Sequence, residues 1–169
     1  MPSPLPFDAE RDLLLERTVD VPPDRVFAAW TRPELLVRWF TPAPWTTAAC
    51  DLDLRPGGVF RTVMRSPEGQ EFENTACVLE VMPGERFVWT TALRPGFRPL
   101  TAAEQAAAPF TLSCVVAVAP AEGGGTHYTA HLRHADAEAR DRHGDVGFQS
   151  GWGQALDQLV ALVRDGLPT

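Results

Sequence analysis

His127 and His131 stand four residues apart in a segment that alternates like a β-strand, and two imidazoles so close in sequence invite a metal reading. On a strand that spacing separates them by about 13 Å, whereas one zinc ion needs each nitrogen about 2 Å away. The pair cannot chelate. Thr129 and Arg133 share their side, so both histidines are expected to face solvent. His134 differs, because continuing the alternation puts it in phase with Tyr128 and Leu132, toward Gln149 or Trp152 of a following helix. An imidazole there orients a ligand or acts as a general base, which makes His134 the catalytic candidate. The competing reading is that the strand has ended and His134 only turns the chain.

Other reactive residue types carry less. Asp136 and Asp141 lack a partner geometry, and Asp51 and Asp53 fall on the polar side of a strand, where they are solvated. Cys50, Cys77 and Cys114 each sit in an apolar run, as buried reduced thiols of a cytoplasmic protein do. Gly123-Gly124-Gly125 joins two strands with no helix behind it, so it reads as a hairpin rather than a phosphate cradle. There is no nucleophile motif, cofactor fingerprint or metal-ligand set, and neither cofactor nor metal is expected.

The aromatic residues are the better candidates. Trp39, Phe60, Phe72, Trp89, Tyr128, Phe148 and Trp152, with Leu112 between them, are expected to line a cavity for a small apolar or amphipathic molecule. Thr62, Asn74, Thr91 and His134 are the polar groups expected to point inward. Burial of one such ring contributes about 1.5–3 kcal/mol to folding, so packing alone accounts for most of them.

The elements that position these residues follow from punctuation and period. Leu13 to Val21 reads as a strand, and Pro22-Pro23 stops it, Pro23 fitting the first turn of a helix. Val26, Phe27 and Trp30 form one helical face. Thr31-Arg32-Pro33-Glu34 has the form of a capping box before a second short helix carrying Leu35, Leu36, Trp39 and Phe40. Strands follow at Ala49–Arg55, with Cys50, Leu52 and Leu54 on one side, then Val59–Arg65, then Gln70–Met82, long enough to need a bulge, then Arg86–Thr91. Residues 92–109 break the rhythm, either as a lid or entrance loop or as a surface excursion. Strands resume at Phe110–Ala119 and Thr126–Arg133. From Asp136 to Asp165 the pattern is helical, with Phe148, Trp152, Leu156, Leu159 and Val163 in one stripe and Gly144, Gly147, Gly151 and Gly153 giving a kink or room. Gly166-Leu167-Pro168 ends that helix.

This order predicts an α+β fold in which a curved antiparallel sheet of about seven strands wraps a long C-terminal helix, with two short helices between the first two strands. At 169 residues one domain is expected, its core over about 12–165. A net charge of −7, with all 15 basic residues scattered arginines, argues against nucleic acid and anionic membrane surfaces. No run approaches a membrane span, and the first residues lack a signal pattern.

Several of these residues resemble a known family. Pro23, Val26-Phe27, Ala29-Trp30-Thr31, Pro33-Glu34-Leu35-Leu36 and Trp39-Phe40 come first. Asp53-Leu54-Arg55-Pro56-Gly57-Gly58 follows, then Leu79-Glu80-Val81 with Pro83, then Gly125-Thr126, then Gly151-Trp152. Together, over about Leu13 to Leu162, they are similar to the activator of heat-shock-protein-90 ATPase homologue 1-like family of the START-like (SRPBCC, helix-grip) superfamily. The resemblance implies a cavity for apolar or amphipathic molecules, cyclase, dehydratase or hydrolase activity in some members, and pairing into homodimers in others. The co-chaperone that names the family couples such a domain to a separate N-terminal domain. Only about a dozen residues precede the first strand here, so chaperone regulation is the lesser expectation.

Overall fold

A computed structural model describes residues 5–166. Leu167 and Pro168, expected to end the last helix, lie outside that range. Seven strands form one antiparallel sheet: β1 (Asp12–Val19), β2 (Thr46–Leu52), β3 (Val59–Arg65), β4 (Glu71–Met82), β5 (Arg86–Thr90), β8 (Leu112–Pro120) and β9 (Thr126–His134). Their spatial order is β1-β9-β8-β5-β4-β3-β2. Helices α1 (Pro23–Thr31) and α2 (Pro33–Leu36) connect β1 to β2, so they span between the two edge strands. After β9 come α4 (Ala137–Asp145) and α5 (Phe148–Arg164), the latter packed on α1 and β1.

Alternation sorts the two faces of the sheet. Phe60, Phe87, Cys114, Val116, Tyr128, Ala130 and Leu132 are buried beneath the helices and join Val26, Ala29, Trp30, Leu156 and Leu159 in one core. The long strand β4 shifts register between Val78 and Glu80, the bulge its length demands. A second register shift lies between Thr47 and Ala49. The turn at Pro56-Gly57-Gly58 is one that only glycine fits, since a Cβ on Gly58 would stand 2.0 Å from the Asp53 carbonyl oxygen. Gly147, in the left-handed region at φ 91°, separates α4 from α5, so the expected single helical stretch is two helices.

Three local expectations are corrected. The capping box at Thr31 does not form. Thr31 is the last residue of α1, and its hydroxyl donates back to the Phe27 carbonyl at 2.8 Å, leaving Arg32 as the N-cap of α2. The same pattern does close at Thr101, where Glu104 N donates to Thr101 Oγ1 at 3.1 Å and Thr101 N to Glu104 Oε2 at 2.9 Å. Second, β2 ends at Leu52, and Leu54 is exposed rather than inward. Third, His131 is not at the surface. It is 1% exposed, because residues 7–12 fold over the outer side of the β1–β9 pair and bring Asp12 Oδ2 within 2.7 Å of His131 Nε2 and the Phe7 ring within 6.0 Å of its imidazole. His127 is half-buried and faces Glu16 at 3.3 Å.

The segment 92–109 contains a two-strand hairpin, β6 (Leu93–Arg94) with β7 (Arg98–Pro99), and α3 (Ala102–Ala107). No side chain of α3 is buried. An Arg94–Glu104 ion pair at 2.7 Å joins α3 to the hairpin, and the Gly96 N–H of the hairpin donates to the Gly57 carbonyl at 2.7 Å.

Candidate functional site

The inner face of the sheet carries the expected aromatic set, and α1, α2 and α5 bring the rest of it to the same place. Trp30 lies at the centre. Its ring is 5.0 Å from Trp39, 5.7 Å from Phe40, 6.3 Å from Phe87 and 6.4 Å from Trp152. Most of these pairs meet edge to face, the arrangement that ring quadrupoles favour. From Phe40 the chain of contacts runs to Phe60 at 6.0 Å and from Phe60 to Trp89 at 5.3 Å. In the other direction it runs from Trp152 to Phe148 at 5.7 Å and on to His143 at 5.6 Å. Leu112 is buried on the sheet between the two ends. Two concavities of about 160 and 520 Å3 open on the outside, beside Phe110 and Arg142 and beside Arg17 and Arg164, and neither is lined by this set.

Hydrogen bonds fix two of the indoles. Trp30 Nε1 donates to the Tyr128 hydroxyl at 3.1 Å, and Trp39 Nε1 to the Ala29 carbonyl at 3.0 Å. Burial first, and Cys114 second, raise the Tyr128 phenol well above its ordinary range, so it stays protonated. Trp89 is the exception. It is 3% exposed, and its Nε1–H is buried with no hydrogen-bond partner.

The inward polar groups divide. Thr62 is buried on the inner face, opposite Cys50 and Asn74. Asn74 is exposed, and the Thr91 hydroxyl engages the Leu112 backbone at the end of the β5–β8 ladder, accepting from its N–H at 3.0 Å. Phe72 leaves the set altogether. It is 41% exposed at the start of β4, against Trp45 at 5.6 Å. Arg17 also lies on the inner side, paired in register with Tyr128, and reaches α5 through the Gly153 carbonyl at 2.9 Å and Asp157 at 2.9 Å.

His134 closes β9, buried, and it has a partner that pattern reading passed over. Its Nδ1 lies 3.0 Å from the Arg11 carbonyl oxygen and its Nε2 lies 3.0 Å from Nδ1 of His143 in α4. Phe110 stacks on His143 at 4.4 Å and 19°. A carbonyl only accepts, so the proton of His134 is on Nδ1, and His143 donates from its own Nδ1 to His134 Nε2. Burial lowers the pKa of His134, and burial followed by the neighbouring His134 brings His143 down to about 4.

That shift has a stability consequence. The unfolded chain takes up a proton at His143 near its ordinary value of 6.5, and the folded chain only near about 4, so stability is complete above about 6.5 and falls as pH drops toward about 4. Allowing for partial solvent screening, the loss is about 2 kcal/mol. Urea unfolding at about pH 7.5 and pH 4.5 is expected to show that extra loss in the native sequence but not in His143→Phe. Equal pH slopes for the two proteins would refute it.

A family model described as activator of Hsp90 ATPase homolog 1-like protein matches residues 20–164. The chain belongs to that family. Protein NE0264 of Nitrosomonas europaea is 41% identical, with a TM-score of 0.86 over 94% of this chain and 97% of its own. CV1439 of Chromobacterium violaceum is 26% identical over 90% and 96%, with a TM-score of 0.71. Ms6760 of Mycobacterium smegmatis, 24% identical over 90% of each chain with a TM-score of 0.73, shows the same fold. No curated protein matches. Like these structures, the chain has the START-like helix-grip architecture, and no helix among its described residues is long and apolar enough to cross a membrane.

Proposed function

We propose that this family member binds a small apolar or amphipathic molecule against the inner aromatic set, with Trp89 Nε1–H donating a hydrogen bond to one acceptor atom of the guest. The unpartnered indole N–H of Trp89 carries the reading. A buried donor left unpaired costs about 1–3 kcal/mol, while the other two buried indoles of the set have carbonyl or hydroxyl partners. A carbonyl or ether oxygen entering beside Phe60 removes that cost. Apolar walls with one placed polar group are the ordinary composition of a small-molecule site. Because the rings meet one another, a guest enters by displacing them, and tryptophan emission reports its arrival.

Native mass spectrometry of protein purified without organic solvent is expected to show a removable adduct, or to show uptake of a carbonyl-bearing lipophile from a screened set. Trp89→Phe is expected to weaken retention about tenfold. Its folding free energy is expected to change by less than about 1 kcal/mol, since the unpaired donor goes with the lost ring volume. Absence of any adduct or uptake, or full retention by Trp89→Phe, would refute the reading.

A further inference from the structure

Resting on that reading, we propose that Thr62 and Asn74 hold a neutral polar head of the bound molecule at the open end of the inner face, flanked by the Phe72–Trp45 pair. Strand register sets Cys50, Thr62 and Asn74 side by side across β2, β3 and β4, and Cβ atoms so opposed are about 5 Å apart on one face. The row on one side carries Leu52, Phe60 and Ala76, and the row on the other carries Met64 and Phe72. A strip of thiol, hydroxyl and carboxamide thus lies between two apolar strips, each about 7 Å away along the strands. Phe60 joins it to the site proposed above. Its ring is 5.3 Å from Trp89, and Thr62 follows it by two residues on the same face.

Solvent reaches this strip. Thr62 is 4% exposed, yet its hydroxyl bonds to no described residue and is not sealed from water. The Asn74 carboxamide is exposed and also has no hydrogen-bond partner among the described residues. Beyond them Phe72 and Trp45, 41% and 36% exposed, meet at 5.6 Å and 33°. Exposure therefore rises from Phe60 through Thr62 to Asn74 and Phe72, as it does from the floor of a cleft to its rim. A hydroxyl and a carboxamide offer donors and acceptors together, so the head they suit both gives and takes a hydrogen bond, as a hydroxyl or primary amide does. That head is uncharged. The charged residues of β2, β3 and β4 alternate to the outer face, where Arg61 is held by Asp51 at 3.0 Å and Glu73 at 2.8 Å. An ionised head in the inner strip would lose water without meeting a counter-charge.

The test uses a matched pair of fluorescent probes, 6-acetyl-2-naphthol and its methyl ether. They differ in the donor hydrogen of the head and share an acetyl oxygen for Trp89. Both are titrated into the native protein, Asn74→Leu and Trp89→Phe. The native protein is expected to prefer the naphthol about tenfold, and Asn74→Leu to bind both alike. Trp89→Phe is expected to bind both more weakly and to keep the preference. Asn74 is exposed, so its substitution leaves the core intact. In the unaltered protein, the side-chain amide resonances of Asn74 are expected to shift farther with the naphthol than with the ether. Equal binding of both probes to the native protein with stationary Asn74 resonances would overturn the head site and leave the Trp89 reading standing. Preference retained in full by Asn74→Leu would do the same. Failure of both probes to bind the native protein would overturn the binding reading itself.

Discussion

Trp30→Ala is expected to cost about 4 kcal/mol of folding free energy, the upper part of the range for buried aromatic truncations. Three features of the residue place it there. The indole is fully buried, it touches four other rings, and it is the hydrogen-bond donor to the Tyr128 hydroxyl. Removing it opens a cavity between α1 and the sheet and leaves a phenol oxygen without its donor, so transfer, cavity and hydrogen-bond losses act together. A domain of this size loses about 3 °C of melting temperature per kcal/mol, and a fall of more than about 10 °C follows. Trp30→Phe keeps a ring and loses the N–H, and about 1–2 kcal/mol is expected for it. Calorimetric melting of the two variants checks the pair, and a cost below about 1.5 kcal/mol for Trp30→Ala would show that the aromatic set relaxes into the space.

The second large effect lies on the opposite face of the sheet. Asp12 is buried with its Oδ2 at 2.7 Å from His131 Nε2, 3.0 Å from the Asp8 N–H and 3.6 Å from Arg133 Nε. Asp12→Ala withdraws the carboxylate from a buried ring nitrogen and releases residues 7–11 from β1 at once. About 3 kcal/mol is expected. A double-mutant cycle with His131→Phe separates the two contributions, and a coupling energy of about 2 kcal/mol is expected for side chains in such contact. Additive effects would mean that Asp12 acts through the Asp8 turn alone. Its weight also implies that shortening the chain before Asp12 lowers stability, although that segment adds no strand.

How far the fold could be read in advance depended on whether the forces were periodic. β8 was legible because Leu112, Cys114, Val116 and Val118 alternate toward one buried face. α5 was legible because Phe148, Leu156, Leu159 and Val163 recur at helical spacing. His131 was misplaced for the complementary reason. Alternation reports which side of a strand is apolar, and it is silent about an irregular segment that returns over the polar side. His143 sits in α4, a helix of mostly polar residues with a weak pattern, and what buries it comes from Phe110 and His134 elsewhere in the chain. Nothing local marks such a residue. Phe72 shares its face with Phe60, as its register shows, yet it is exposed, because a shared face does not by itself place a covering element over every residue on it. The missing partner of Trp89 is a property of three dimensions alone, because no pattern of residue types records which donors fail to find an acceptor.

One side chain on α5 has a mechanical consequence. Gln158 donates to the carbonyls of Trp39 and Thr41 at 2.8 and 2.9 Å, and its own oxygen accepts from the Ala43 N–H at 2.9 Å. Three bonds from one amide rivet the stretch that carries Trp39 and Phe40 to the long helix, so the two translate as a single body. Across the domain, α3 hangs by the Arg94–Glu104 pair, and Arg142 holds the Pro109 carbonyl at 3.0 Å. Residues 39–43 are thus bound to the long helix through one of its own side chains, whereas α3 has no buried side chain of its own.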